Sequence, residues 1–123
     1  MRILIIPFLL TISGASMGQT NVSDSLFVVT YTTGKAWDKT KAPAEQNYFK
    51  EHSATLSKLR KEGIIQVGMR FAEKGMILVK APTFAAAREL ITSDPAIVNQ
   101  LFQADIQRVN VFYDGCVERP VRK

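Results

Sequence analysis

His52 is the only histidine in the chain. Phe49, His52, Leu56 and Leu59 follow one another at intervals of three, four and three residues. Side chains at that spacing share one helix face, so the imidazole belongs to an apolar stripe and not to the charged face of Lys50, Glu51, Lys58 and Lys61. An imidazole on the buried side of a helix loses solvation, which favours the neutral form and leaves one nitrogen as a base. A neighbouring carboxylate would act the other way, favouring the imidazolium and fixing the tautomer. Asp94 is the candidate for that carboxylate. Followed by Pro95, it also has the form of a helix N-cap before a first-turn proline, a position that holds a carboxylate rigidly. Two readings of His52 therefore stand side by side. One is a general acid and base; the other is a core histidine bonded to a backbone carbonyl.

Other side chains could line a pocket around this pair. Trp37, Gln46 and Tyr48 lie on the loop and helix start leading to His52, with Phe49 as a further wall, and such residues more often serve packing or surface than a site. Arg70 falls on a strand-like run, where its guanidinium could hold a carboxylate or phenolate. There is no glycine-rich phosphate loop, no nucleophilic serine motif and no carboxylate cluster suited to a metal. With one cysteine, Cys116, and one histidine, no zinc site of the cysteine and histidine kind can be built. No cofactor or metal is expected.

The elements that must position these residues begin after an N-terminal segment of another kind. "MRILIIPFLLTISGASMGQ" has one basic residue, an apolar run from Ile3 to Ile12 and small residues up to Gly18. This is the layout of a secretory signal peptide over residues 1–18, with Ser16 and Gly18 at the small-residue positions. The run is short for a bilayer span, so the mature chain is expected to be secreted or periplasmic without stable membrane insertion. About 105 of the 123 residues would remain, enough for one domain with one core. Losing Arg2 lowers the formal charge from +5 to about +4. That excess is scattered, with no basic stripe interleaved by aromatic residues, so nucleic acid is discounted as a partner.

A polar leader, 19–25, precedes the strand-like "SLFVVTYTTG". A polar loop, "KAWDKTKAPAEQ", leads to a long helix from about Pro43 or Ala44 to Glu62, stopped by Gly63. "IIQVGMRF" and "GMILVK" form a hairpin across "AEKG", where Gly75 could take positive φ. Thr83 can cap a helix over "FAAARELIT", and a short helix can start at Asp94–Pro95. "ADIQRVNVFY" closes the pattern as a strand, and a phase change between Ile106 and Val109 hints at a bulge near Gln107 and Arg108. A basic tail, 115–123, follows.

This β-α-β-β-α-β order predicts an α+β fold, a four-stranded antiparallel sheet with both helices on one face. Alternation puts Phe27, Val29 and Tyr31 on one side of the first strand and Leu26, Val28 and Thr30 on the other. Both sides are partly apolar, so the uncovered face is expected to be closed by a second copy, giving a homodimer.

The chain resembles the YCII-related family of the dimeric α+β barrel (ferredoxin-like) group. The resemblance covers about Leu26 to Tyr113 within a domain over 26–114. It is carried by "HSATLSKLRKEG", by "IIQVGMRF" with Gly68, by "GMILVKAPTFAAARELITSDPAI" with its Asp94–Pro95 pair, and by "LFQADIQRVNVFY". It implies a ferredoxin-like unit that pairs sheets with a second copy, and a histidine and an aspartate facing one cleft, here His52 and Asp94. Related members act on small organic molecules, including removal of a leaving group from an aromatic ring. The chain is also similar to muconolactone-isomerase-like proteins, which move protons on small lactones. It departs from the family in having Gly68–Met69 where many members have glycine-proline, and in its N-terminal segment and long loop.

These readings together lead to a small-molecule isomerase or lyase with His52 as acid and base and Asp94 orienting it. Trp37, Gln46, Tyr48, Phe49 and Arg70 would bind a small organic substrate, aromatic or anionic. The alternatives are a non-catalytic dimeric module that binds a small ligand or serves as an accessory, and a fold whose pair is structural only.

Overall fold

The structure is a computed structural model that describes residue 14 and residues 23–122. The signal-peptide segment and its cleavage point thus lie, Gly14 apart, outside the described residues. Strand β1 (Ser25–Thr33) leads through a long loop to helix α1 (Phe49–Lys61). Strands β2 (Ile65–Phe71) and β3 (Lys74–Ala81) form a hairpin. Helices α2 (Phe84–Thr92) and α3 (Pro95–Val98) precede strand β4 (Phe102–Arg108). The four strands form one antiparallel sheet in the order β2-β3-β1-β4. This is the expected α+β, ferredoxin-like architecture. No helix among the described residues is long and apolar enough to cross a membrane.

The core follows the two-residue alternation of the strands. Phe27 and Val29 are fully buried, and their β3 partners Val79 and Ile77 are buried beside them. Leu59 of α1 and Ala87 and Ile91 of α2 close this face from above. Each fully buried Phe, Val or Ile contributes about 1.5–3 kcal/mol, so this one layer supplies most of the drive to fold. On the opposite face Leu26, Val28, Thr30 and Leu78 are half-buried, while Met69 and Phe71 are exposed.

Helix α1 starts later than its sequence suggests. Pro43–Glu45 forms a separate single turn, and Tyr48 then takes a left-handed conformation with φ 67°. The apolar period begins only at Phe49, so nothing upstream has a stripe to lay on the sheet. The helix ends as expected. Gly63 at φ 74° lets its own N–H reach Arg60 O (3.1 Å) while Ile64 N–H reaches Leu59 O (2.9 Å), the paired bonds of a left-handed stop.

Two further expectations need correction. The β2–β3 turn is made by Ala72 and Glu73, at φ 44° and 63°, and not by Gly75, which sits inside β3 without positive φ. A two-residue turn with both residues left-handed matches the twist of the strands, and the closing pair Phe71–Lys74 fixes it there. The last strand stops at Arg108 with an unbroken register, so there is no bulge near Gln107. One more bond to β1 follows, Val109 N–H to Leu26 O at 2.9 Å, before the chain turns irregular. The one register shift lies in β2, between Ile65 and Val67. Beyond β4 the chain is irregular, and Cys116 is exposed.

Candidate active site

Helix α1 presents His52 to the sheet, as its place in the apolar stripe requires. The residue is 8% exposed. Asp94, 1% exposed, lies behind it at the start of α3. His52 Nδ1 and Asp94 Oδ2 are 2.5 Å apart. The other carboxylate oxygen accepts the Ala96 N–H at 2.9 Å. Asp94 is therefore both cap and partner, and the two roles use different oxygens. An ionised carboxylate only accepts, so Nδ1 carries the proton and the lone pair of the neutral ring falls on Nε2. Among the described residues Nε2 has no hydrogen-bond partner and is not one of the solvent-excluded orphans, which leaves it open to the cleft that His52 borders.

That cleft, of about 800 Å³, lies between α1 and the hairpin end of the sheet. Phe49, Ser53 and Leu56 join His52 along its roof. Phe102, the first residue of β4, is the hub of an aromatic wall. Its ring centroid lies 4.8 Å from that of His52, 5.6 Å from Trp37 and 6.4 Å from Phe49.

The loop that carries Trp37 is tied down at both ends. Gly34 N–H donates to Leu101 O (2.8 Å) and Ala36 N–H to Gln100 O (3.0 Å). Further along, the buried Gln46 side chain accepts from Asp38 N–H (3.0 Å) and donates to Asp38 O (2.6 Å) and Lys41 O (3.1 Å). Asp38 in turn accepts from the Thr40 hydroxyl and N–H, which hold its carboxyl below the usual range.

Of the residues singled out from sequence, His52, Trp37, Phe49 and Arg70 border the cleft and Asp94 backs it. Gln46 and Tyr48 do not border it. Gln46 braces the loop from within, and Tyr48 is 41% exposed at the helix start. No group of three or more metal-ligating side chains forms among the described residues.

Sequence reasoning missed Phe102 and Tyr31. Alternation places Tyr31 on the same side of β1 as Phe27 and Val29, and nothing local marks it further. Its ring stands edge-on to His52 at 5.1 Å between centroids. Its hydroxyl is the one solvent-excluded side-chain polar atom among the described residues that lacks a hydrogen-bond partner. Burial, and then the negative charge of Asp94, push its pKa far above the usual phenol range. The hydroxyl therefore stays protonated, a donor with no acceptor.

Two effects are expected from Tyr31→Phe. Removing a buried orphan hydroxyl should raise the unfolding free energy by about 1 kcal/mol near neutral pH. The second effect is alkaline. The folded pKa lies above the unfolded value of 10.0, so the contribution is complete below that pH and is lost as pH rises through it. Wild type should lose about 1.4 kcal/mol per pH unit from this group above its unfolded pKa, a slope absent from the variant. Urea unfolding across the alkaline range measures both. Identical slopes would mean that the hydroxyl ionises as readily in the folded chain.

In comparisons with known proteins, no protein-family model matches the chain and no curated protein matches it.

Proposed function

We propose that the chain is a small-molecule enzyme that moves a proton, as an isomerase or lyase, with His52 as the acting group. The observation that carries this is the 2.5 Å contact between Nδ1 and Asp94, with the opposite ring nitrogen left facing a cleft. Nε2 would take a proton from an acidic carbon of the bound molecule. The imidazolium so formed is stabilised by Asp94. Returning the proton to a different atom completes an isomerisation; loss of a leaving group from the adjacent carbon completes an elimination. Positioned acid–base help of this kind supplies about 10²- to 10⁴-fold. The resemblance of the histidine helix and the Asp94–Pro95 pair to the YCII-related family supports the same assignment.

The reading extends to where the chain works and in what state. The layout of residues 1–18 supports export to a secreted or periplasmic location. The apolar half of the open sheet face, with Val28 and Leu78 side by side and Met69 and Phe71 exposed, supports a homodimer paired through it. Sedimentation velocity should then give the mass of two chains, and a lone chain at micromolar concentration would refute the pairing.

A second reading, a non-catalytic binding module, is favoured by the aromatic wall around Phe102. One experiment separates the two. A panel of small lactones and enolisable keto acids is incubated in deuterium oxide and followed by proton NMR. The enzyme reading expects deuterium to enter at least one compound with wild type and not with His52→Asn. Exchange that persists in His52→Asn, or its absence across the panel, would favour the binding module.

A further inference from the structure

The floor of the cleft holds two glycines whose presence neither conformation nor packing explains. Gly68 on β2 and Gly75 on β3 face the helices, by register with Ile77 and with Arg70 and Tyr31. Neither has positive φ. A Cβ on Gly68 would come no closer than 3.5 Å to the Ile77 side chain, and one on Gly75 no closer than 3.7 Å to Tyr31. Those are ordinary contacts. Glycine inside a strand weakens it, and a common reason to keep one is close approach of another molecule to the main chain. Met69 and Met76 point to the same explanation. Alternation assigns their side chains to the opposite face, yet both residues border this cleft. A floor of bare backbone accounts for that.

The rim adds charge. Arg70, directly across the ladder from Gly75, borders the cleft together with Lys39. Neither makes an ion pair among the described residues. Glu73 is the one acid on the rim. A guanidinium without a carboxylate partner, beside a slot roofed by Phe49 and walled by Phe102, suits a flat molecule with an anionic end.

We infer that the substrate is a planar unsaturated or aromatic carboxylate lying on the Gly68–Gly75 floor, its carboxylate toward Arg70 and its body under His52. Only the orientation toward His52 rests on the acid–base reading; the floor and the anion subsite stand without it. Gly68 and Gly75 then determine specificity, because any side chain there occupies the space of the ring.

Trp37 is the only tryptophan and borders the cleft, so its fluorescence reports occupancy. The full chain is titrated with benzoate and trans-cinnamate and with their neutral amides. Both carboxylates should quench saturably, and the amides should bind at least about tenfold more weakly, as loss of one charge-assisted bidentate contact implies. Arg70→Gln should remove that difference. Gly75→Val should abolish quenching while its melting temperature stays at or above wild type, since a β-branched residue suits a strand. Gly75→Ala serves if the valine variant is unstable, and should weaken binding without loss of fold. Equal affinity for acids and amides, no saturable quenching by either carboxylate, or unchanged benzoate affinity in a folded Gly75 variant would overturn the inference. Carboxylate binding without any proton exchange would instead leave it standing and remove the acid–base reading alone.

Discussion

Asp94→Asn is expected to abolish proton transfer at His52 while leaving the chain folded. The argument turns on which ring nitrogen holds the proton. In wild type the carboxylate accepts at 2.5 Å from Nδ1, so the proton sits there and Nε2 is the base. An asparagine in the same rotamer can still accept from Ala96 N–H with its carbonyl oxygen, keeping the 2.9 Å cap. Its amide nitrogen then faces Nδ1 and donates. The ring must answer by accepting at Nδ1, which moves its own proton to Nε2, and the group facing the cleft is no longer a base. A tautomer reversal of this kind in a histidine–carboxylate pair costs about 10⁴-fold in rate with geometry intact. The nitrogen chemical shifts of the imidazole distinguish the tautomers directly, without a substrate. An Nδ1–H ring in Asp94→Asn would defeat the argument.

Asp94→Ala is a different experiment, because the whole carboxylate goes. Breaking a buried pair by removing one partner costs about 3–5 kcal/mol, and the lost cap adds about 1 kcal/mol. Activity lost in the alanine variant would thus report unfolding as much as chemistry. The asparagine variant separates them.

What could be read from the sequence was whatever depends on neighbours a few residues apart. The stripe from Phe49 to Leu59 turned His52 inward because helix periodicity is local. Asp94–Pro95 announced a cap for the same reason, and Thr83 does accept the Ala86 N–H at 3.1 Å. That the cap and the histidine meet depends on α3 packing beside α1, 42 residues along the chain, and only the order of elements suggested it. Phe102 was passed over because β4 was expected to start at Ala104. The extra two residues bring its ring beside His52, Trp37 and Phe49. Gln46 shows the opposite error. A polar residue near a pocket mouth suggested ligand binding, yet its amide is consumed by three loop backbone groups. Residue type alone points to Gly75 as the positive-φ residue of the turn. In the fold it sits two residues past the left-handed pair, on the helix-facing side of the sheet, where its missing side chain shapes the cleft.

Gly34→Ala is expected to be the most damaging single-methyl change outside the core. A Cβ at that position would lie 2.1 Å from the Gln100 carbonyl oxygen, 2.8 Å from its carbonyl carbon and 3.3 Å from the Leu101 carbonyl carbon. All three atoms are main chain, so no rotamer change relieves the overlap. Gln100 cannot yield cheaply either, since it is already left-handed at φ 60° and its oxygen holds Ala36 N–H. Either the β1–α1 loop lifts off or the turn between α3 and β4 shifts. The first moves Trp37; the second moves Phe102 and disturbs the short helix capped by Asp94. Relief by backbone movement costs about 1–3 kcal/mol, and an overlap this deep with main-chain atoms belongs at the upper end. The same methyl at Gly75 meets nothing closer than 3.7 Å, so the two alanine variants form a matched pair. Gly34→Ala should lower the unfolding free energy and shift Trp37 emission, whereas Gly75→Ala should leave stability and unliganded emission near wild type. Urea titration followed at the Trp37 band measures both in one experiment. Equal midpoints for the pair would mean that the loop does not rest on Gln100 in solution, and that Trp37 is not held against the Phe102 wall.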